Sequence, residues 1–395
     1  MENSLCITGA KIIVGDDGQI LDNAALTIAG DQIKIIGAVP ENTPVIDMAG
    51  KLLCPMFINA HTHLGDTGAK ELGSGLPMEK VVQPPDGLKH RFISHLDPET
   101  HIAMMRHGLR EMLCNGVIAC GDFREQGLPG TRMLQQAASG LPIHVRIFAR
   151  PKEGQDIQLL EKEAEEILEF SDGLGIRQIT AYPEFFLHKL RKQYPKKILA
   201  MHVDELPEYT THSLQTTGRS EARRGVDCGM DFLIHLVHTP KDDLTYLIQN
   251  NVGAVSCPRS NAILGEGLPP LGIWREIGLS FGLGTDNIML VPPDMMGEMQ
   301  AGGRIACGLA LSAAAMDPLT LFKAGTIYGA RALHLDDQLG SLAPGKEASF
   351  IVYDLNSPNL TYSNDLIASI VYRATPADIS NVFVRGKKLA EWPIH

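Results

Sequence analysis

Two histidines, His61 and His63, directly follow the apolar segment 57–60 of this 395-residue sequence. Residues i and i+2 of an extended chain point to the same face, so both imidazoles can be directed at one point. A chance pair of surface histidines is the alternative. Because each imidazole carries two nitrogens that need partners, we favour the ligation of a metal ion.

Similar groups follow two later apolar segments. His202 ends the segment 198–202, and Glu205 comes three residues later, on the loop that would overhang the same site. Two ordinary loop residues are the alternative for this pair. His235 and His238 lie three residues apart on another apolar segment, which places them on opposite faces of an extended chain. We therefore expect only one of these two histidines at the site.

A carboxylate, Asp286, follows the apolar segment 280–284. Its alternative role is to cap an Asx turn. Together with the histidines it completes a set of nitrogen and oxygen ligands with one position left open. Such a set suits one catalytic divalent transition metal, Zn²⁺ or Fe²⁺.

The segments that carry these residues belong to a regular alternation of short apolar strands and amphipathic helices, such as the helix predicted over 157–170. This alternation implies a parallel sheet, and eight such units close into a barrel. An open doubly wound sheet is the alternative, but no G-x-G-x-x-G follows the first strand. We therefore predict an α/β fold, a (β/α)8 TIM barrel. Its predicted strands are 57–60, 117–123, 144–149, 177–181, 198–202, 232–236, 254–257 and 280–284.

Both chain ends read as short alternating strands bounded by glycine and aspartate, which is typical of hairpins. This pattern predicts that residues 1–55 and 341–395 meet in a small composite β-sandwich domain, with the barrel over 56–340. Two separate β-rich caps would leave similar traces in the sequence.

The composition excludes several classes of protein. Lys and Arg number 35 against 46 Asp and Glu, a net charge of −11 that makes nucleic acid an unexpected partner. No apolar stretch reaches the roughly 18 residues of a membrane span, and the first residues lack the pattern of a secretory signal. The seven cysteines are widely spaced without a C-x-x-C, which predicts reduced thiols and a cytoplasmic location.

Five segments, in this order, resemble the amidohydrolase superfamily, and most closely its cytosine deaminase and chlorohydrolase-like branch of metal-dependent hydrolases. The resemblance extends over nearly the whole chain, because the β-rich ends match the composite β-sandwich of that branch. The five segments are Pro55-Met56-Phe57-Ile58-Asn59-Ala60-His61-Thr62-His63, His202-Val203-Asp204-Glu205, Leu233-Ile234-His235, Ser256-Cys257-Pro258-Arg259-Ser260-Asn261 and Gly284-Thr285-Asp286-Asn287.

The resemblance implies roles for individual residues. Glu205 matches the proton shuttle, and His235 matches the residue that hydrogen-bonds the metal-bound water or the attacked group. Related members with two metals use a carboxylated lysine on the fourth strand, which the segment 177–182 lacks, so one metal is favoured. The ligands of that metal would be His61, His63, His202 and Asp286.

The resemblance also implies an activity, that of a metal-dependent hydrolase acting on carbon–nitrogen bonds other than peptide bonds. We expect a deaminase that releases ammonia from an aminated N-heterocycle, such as a nucleobase or nucleoside, by attack of hydroxide generated at the metal. Asp286 would take the proton of the attacking water. Hydrolysis of a cyclic amide or a carbon–halogen bond at the same metal is one alternative. The other is a non-catalytic assembly protein, and the sequence leaves a homo-oligomer open.

The substrate does not follow from the resemblance. Many deaminases of this branch carry a tryptophan-containing loop after the first strand, where this chain has the segment 83–91. For Arg259 a contact to the substrate and a salt bridge to a neighbouring residue are equal alternatives. The candidate substrate contacts are Lys89, Tyr182, His238 and Arg259.

Overall fold

A computed structural model describes residues 4–389 of the chain. Within this range, parallel strands form a nine-stranded sheet that runs through the middle of the chain. The first eight strands follow one another in sequence order around the sheet, each paired in parallel with the next, and the ninth pairs in parallel with the first. They are β6 Phe57–His63, β7 Val117–Arg124, β8 His144–Ala149, β9 Gly173–Ile176, β10 Ile198–Val203, β11 Phe232–His235, β12 Gly253–Ser256, β13 Phe281–Leu283 and β14 Asp286–Asn287.

The last strand of this sheet returns to the first one. β14 follows β13 after two residues and pairs in parallel with β6, with Asp286 opposite Thr62. The amide of Asn59 reinforces this closure, since it donates to the Thr285 hydroxyl over 2.7 Å and accepts from the Thr285 backbone N–H over 3.0 Å. Residues 281–287 therefore act as the eighth strand of a barrel that closes on its first strand.

Helices follow most of the barrel strands, as the alternation of the sequence predicts. The helix predicted over 157–170 is present with the same bounds. In the described part of the chain the α-helices are α1 Met78–Val81, α2 Leu88–Ser94, α3 Pro98–Cys114, α4 Gly127–Ala138, α5 Ile157–Phe170, α6 Glu184–Gln193, α7 Pro207–Thr217, α8 Glu221–Asp227, α9 Lys241–Gln249, α10 Pro258–Leu264, α11 Leu271–Glu276, α12 Met295–Ala310, α13 Pro318–Ala324, α14 Ile327–Ala332 and α15 Leu366–Tyr372. None of them, within residues 4–389, combines the length and the apolar character that crossing a lipid bilayer requires.

The predicted fourth strand, 177–181, is wrong, because the strand is β9 and residues 179–181 form a short 3₁₀ helix. Gly175 of β9 faces the barrel interior, where a Cβ would come within 2.5 Å of the Phe123 ring. The neighbouring Gly173 leaves no room for a Cβ beside the Ile198 carbonyl. Close packing at this position requires glycine, a residue that strand propensity disfavours, and this explains the error.

Aromatic side chains fill the barrel interior beneath the histidines. The ring centroids of Phe123 and Phe148 lie 5.5 Å apart, and those of Phe148 and Phe232 lie 5.7 Å apart, in edge-to-face geometry. The Phe123 ring also meets the His61 imidazole, with 4.4 Å between centroids. The barrel therefore has a packed core that closes its lower end and leaves polar chemistry at the C-terminal ends of the strands.

Strands from both ends of the chain form one mixed sheet of eight strands within residues 4–389. The strand Phe350–Asp354, near the C-terminus, pairs antiparallel with the strand Lys51–Pro55, which leads directly into the barrel. Part of the sheet packs around an apolar cluster that includes Ile12 and Phe350. The strands are β1 Ser4–Val14, β2 Gln19–Ala29, β3 Gln32–Ile36, β4 Val45–Asp47, β5 Lys51–Pro55, β15 Phe350–Asp354, β16 Ile379–Val384 and β17 Lys387–Lys388.

Candidate active site

Three histidines and one aspartate meet at the upper end of the barrel. His61 Nε2 lies 3.2 Å from His202 Nε2 and 3.3 Å from Asp286 Oδ1. His63 Nε2 lies 3.4 Å from the same Asp286 oxygen. All four side chains are buried, although β6, β10 and β14 bring them from distant parts of the sequence. The structure therefore brings together the four residues that the sequence analysis named as ligands.

The hydrogen bonds of two of these imidazoles show which nitrogen is left bare. His202 Nδ1 faces the Ile176 carbonyl at 3.1 Å, and His63 Nδ1 faces the Phe123 carbonyl at 3.0 Å and Glu125 Oε1 at 3.1 Å. Because these partners only accept, each Nδ1 carries the proton and each Nε2 presents a lone pair.

The bare nitrogen of His63 therefore points at an acceptor rather than at a donor. His63 Nε2 faces a carboxylate oxygen, and His202 Nε2 faces a second imidazole nitrogen. Burial lowers the pKa of the His63 imidazole to about 3, and it lowers the pKa of His202 well below its usual range. Neutral imidazole lone pairs that converge with a carboxylate form a donor set that fits a divalent cation.

Asp286 is ionised and held in place. Burial opposes its ionisation, but the hydrogen bond from His61 holds the pKa of the Asp286 carboxyl well below its usual range. The Ser260 hydroxyl donates to Asp286 Oδ2 over 2.6 Å, and the Thr62 hydroxyl donates to the Asp286 backbone carbonyl over 3.1 Å. The other carboxylate oxygen is left facing His61 and His63.

Glu205 and His235 lie beside this group. His235 Nε2 is 3.3 Å from Glu205 Oε1, and Asn261 Nδ2 donates to His235 Nδ1 over 2.9 Å. Because Nδ1 accepts this bond, the proton of the neutral ring is on Nε2. His235 therefore presents a donor, whereas His63 and His202 present lone pairs. Burial raises the pKa of the Glu205 carboxyl.

A second carboxyl, Glu266, lies against Glu205. One carboxyl oxygen of Glu266 lies within 4.8 Å of a Glu205 oxygen and of a His235 ring nitrogen, and Glu266 is almost completely buried. Asn261 Nδ2 donates to Glu266 Oε2 over 2.7 Å, so the same amide contacts both His235 and Glu266. Burial raises the pKa of Glu266 well above its usual range, and the charges of Glu205 and Asp286 raise it further.

A network of buried charges supports His63 from outside. Lys89 Nζ lies 2.6 Å from Glu125 Oε1, the oxygen that also faces His63 Nδ1. Arg124 pairs with the other Glu125 oxygen and lies 3.4 Å from Asp122. Burial raises the pKa of the Glu125 carboxyl, but Lys89 and Arg124 outweigh it and hold the pKa well below its usual range.

Two adjoining cavities open onto these residues. The inner cavity, about 60 Å³, is lined by groups that include His63, His202, Glu205 and Asp286. The outer cavity measures about 670 Å³ and lies over β7, β8 and the loop 83–91. The two cavities have common walls, formed by Pro84, His90, Arg150 and Arg177.

A model of the amidohydrolase family matches residues 52–389 of this chain, which is most of its length. The chain belongs to the amidohydrolase family. A Methanothermobacter thermautotrophicus protein provisionally named an aminohydrolase is 34% identical over 320 residues, which cover 76% of this chain and 82% of that protein. A Thermoanaerobacter pseudethanolicus protein named 5-methylthioadenosine/S-adenosylhomocysteine deaminase is 25% identical, with 98% of this chain and 94% of that protein covered.

Solved structures support the barrel fold of this amidohydrolase. A crystal structure of an adenosine deaminase from Xanthomonas campestris with bound zinc superposes with a TM-score of 0.83 at 18% identity. The superposition covers 97% of this chain and 92% of that chain. The predicted TIM barrel is thereby confirmed.

The four candidate substrate contacts of this amidohydrolase lie in different surroundings. Lys89 lines the inner cavity, where Glu125 neutralises its charge. Tyr182 is buried and its hydroxyl donates to the Pro151 carbonyl. His238 bonds to the Glu266 carbonyl through Nε2, at 2.7 Å. Neither Tyr182 nor His238 lines the inner cavity, so the structure does not support their assignment as substrate contacts.

Arg259 also lies outside the inner cavity. Its Nε is 2.6 Å from Glu298 Oε1, and one terminal nitrogen donates to the Pro292 and Asp294 carbonyls over 2.7 and 2.9 Å. Of the two alternatives for Arg259, the structure therefore shows the salt bridge. A buried carboxylate on the following helix, Glu298, accounts for it.

The sequence analysis missed two residues of the amidohydrolase site, Asn261 and Glu266. Asn261 lies within a segment that resembles the superfamily, and this resemblance indicated that its side-chain amide belongs to the site. Glu266 lies in the sequence Gly265-Glu266-Gly267 between apolar residues, and nothing in that local pattern indicates which carboxylate it meets. Only the closure of the barrel brings it beside Glu205.

Proposed function

We propose that this amidohydrolase is a metal-dependent hydrolytic deaminase that releases ammonia from an aminated N-heterocycle. The observation that carries the proposal is the convergence of bare imidazole nitrogens and one aspartate beside a carboxyl that can move a proton. His61, His63, His202 and Asp286 would hold one divalent metal, zinc or iron. When bound, such an ion supplies Lewis acidity that makes water a competent nucleophile at neutral pH.

The remaining chemistry belongs to side chains of the chain itself. Asp286 would take the proton of the attacking water. Glu205 is placed to deliver a proton to the ring nitrogen beside the reacting carbon, as general acid–base catalysis requires. Its raised pKa supports this role, because the carboxyl can then hold a proton nearer to neutral pH. His235 directs an Nε2–H into the site, where it would stabilise negative charge that develops on the attacked group.

The sizes of the two cavities support a substrate larger than a bare base. The inner cavity of about 60 Å³ is far below the roughly 300 Å³ at which ligand pockets begin, so it fits only the reacting part of a ring. The outer cavity of about 670 Å³ falls within the usual range and adjoins it. A nucleoside-like substrate would occupy both cavities, with its reacting ring in the inner cavity and its substituent in the outer one.

The names of the relatives agree with this activity. One is provisionally an aminohydrolase, and another is named for deamination of 5-methylthioadenosine and S-adenosylhomocysteine. Both names describe loss of an amino group, and the second places that group on a purine nucleoside. This supports deamination over hydrolysis of a cyclic amide or of a carbon–halogen bond.

A substrate panel tests the proposal. The purified protein, loaded in turn with zinc and with ferrous iron, is incubated with aminated purines, pyrimidines and their nucleosides, and with chlorinated analogues and cyclic amides. We expect ammonia release from at least one aminated ring, and faster release from nucleosides than from bases. Chloride release or ring opening without ammonia would replace this proposal by the corresponding alternative.

We also propose that residues 1–55 and 341–395 form a composite β-sandwich domain beside the barrel of residues 56–340. The mixed sheet built from both chain ends supports this division, as does its own apolar cluster, which extends from Ile7 to Phe383. Three further points stay predictions: the cytoplasmic location, the absence of nucleic acid among the partners, and a homo-oligomeric state.

A further inference from the structure

Glu266 is a buried carboxyl that the proposed mechanism does not use. The residue is 1% exposed. Its backbone N–H and its backbone carbonyl both form hydrogen bonds, which fix the loop at this position. The Glu266 N–H donates to the Asn261 carbonyl over 3.0 Å, and the Glu266 carbonyl accepts from His238 Nε2 over 2.7 Å. The carboxyl is therefore held at one place by contacts that do not involve the carboxyl itself.

The two oxygens of Glu266 have different surroundings. Oε2 accepts from Asn261, whereas Oε1 is buried and meets no N–H or hydroxyl donor among residues 4–389. The neighbouring group is the carboxyl of Glu205, one oxygen of which lies within 4.8 Å of a Glu266 oxygen. Two buried carboxyls this close repel each other when both are ionised, so the pair is favoured with one of them protonated and able to donate to the other.

The proton belongs on Glu266 rather than on Glu205. Glu266 faces the carboxylates of Glu205 and Asp286 and has no cationic partner among the described residues, and these surroundings raise its pKa well above the usual range. Glu205 faces His235 and Arg177 as well, and both favour its ionised form. In this arrangement the protonated Glu266 carboxyl donates to Glu205. The Glu205 carboxylate is ionised and can still accept a proton during the reaction.

We propose that Glu266 is a positioning residue, which holds the Glu205 carboxylate through a hydrogen bond from its own protonated carboxyl and orients His235 through Asn261. One neutral side chain thereby fixes both partners of the reaction, the proton carrier and the donor to the attacked group. Glu266 keeps its proton throughout and contacts neither the substrate nor the metal. The inference rests on the proposed function, because it assigns Glu266 a task in that same reaction.

Substitution by alanine and by glutamine separates this role from others. E266A removes both hydrogen bonds, whereas E266Q keeps them, since its NH2 can donate to Glu205 while its oxygen accepts from Asn261. With the best substrate of the panel, we expect E266A to lower kcat by about 100-fold with KM within about threefold. E266Q should restore kcat to within about fivefold of the unmodified protein. Glu276→Gln, on an exposed salt bridge with Lys241, is the control.

Metal content and thermal unfolding supply readouts that need no turnover. We expect one metal per chain in all variants, and a Tm of E266Q at or above that of the unmodified protein at pH 7.5, because glutamine needs no proton to donate. Two metals in the unmodified protein and one in E266Q would make Glu266 a ligand and overturn the proposal. Unchanged kcat in E266A, or equal loss of kcat in E266A and E266Q, would also overturn it.

These outcomes are distinct from failure of the proposed function. If the unmodified protein releases no ammonia from any substrate, the deaminase proposal fails, while the metal count and the Tm of E266Q still report on the proton of Glu266. If E266A does not fold, E266Q decides alone: retained kcat with a retained Tm supports the role, and loss of either contradicts it.

Discussion

Gly284 lies against His61 so closely that no side chain fits between them. A Cβ at residue 284 would come within 2.7 Å of the Cβ and the carbonyl oxygen of His61 and within 2.8 Å of its amide nitrogen. This contact sets the distance between the eighth strand and the first one. Asp286 follows two residues later, so the approach at Gly284 also decides how near Asp286 comes to His61.

Gly284→Ala should therefore weaken metal binding through the backbone alone. The added methyl group must push β6 and the eighth strand apart, and overpacking of this kind costs about 1–3 kcal/mol of unfolding free energy. We expect at least a tenfold loss of zinc affinity in a competition titration with a chelator. Gly308→Ala, on α12 with open space around it, should leave the affinity unchanged. Equal affinity in G284A would contradict the importance of this contact.

Removal of one imidazole tests the ligand set. His202→Ala should lower metal occupancy well below one per chain, because the ion loses one of the four protein groups that would hold it. The measurement is metal content per chain after dialysis. His188 is a matched control, since it lies near Glu184 and Cys228 in a separate group of metal-competent side chains. If H188A loses the metal and H202A keeps it, the site has been assigned to the wrong group.

Glu205→Gln tests the proton carrier. The variant keeps the shape and the burial of the side chain but cannot accept a proton, so kcat should fall by about 10²- to 10⁴-fold. Metal content should stay that of the unmodified protein. Glu208→Gln, three residues further along on the exposed side of α7, should keep full activity. Loss of metal together with activity in E205Q would contradict the role as a proton carrier.

Lys89→Met tests the buried charge network behind His63. Lys89 and Glu125 are both almost fully buried, so removal of the cation leaves a carboxylate short of a partner. We expect the free energy of unfolding to fall by about 3 kcal/mol in urea titrations. The double variant K89M/E125Q should be more stable than K89M alone, because the Glu125 carboxylate that lost its lysine is then replaced by a neutral amide. Additive losses would show that the two side chains do not interact.

Glu221 makes the stability depend on pH. Its Oε2 accepts from the Asp204 backbone N–H over 2.9 Å, and burial raises its pKa from 4.5 to about 7. Between these two values the folded state holds a proton that the unfolded state has lost, so the free energy of unfolding falls as the pH rises. This contribution is fully present below pH 4.5 and has been lost once the pH passes about 7.

Glu221→Gln should remove that part of the pH dependence. The difference in unfolding free energy between E221Q and the unmodified protein should grow in favour of E221Q by at most about 1.4 kcal/mol per pH unit. Above pH 7 the difference should level off. Urea unfolding at closely spaced pH values from 4.5 to 8 measures it, and a difference that does not change with pH would mean that Glu221 is ionised in the folded protein.

The sequence by itself was enough to predict the residues of the proposed metal site and the type of fold. His61 and His63 follow an apolar strand, and His202 and Asp286 follow two others, so alternation and strand direction were sufficient to place them at one end of a barrel. The helix over 157–170 was equally predictable, because its apolar residues recur with the helical period. These features depend on local patterning, which a sequence displays directly.

Only the tertiary structure decided which polar groups meet. The pairing of Glu266 with Glu205, the salt bridge of Arg259 with Glu298 and the glycine-lined strand β9 each depend on contacts between distant segments. Periodicity reports that a residue is buried, but not which side chain it will face when the barrel closes. That choice depends on strand register and on the volume left by Phe123 and its neighbours, and both are properties of the assembled core.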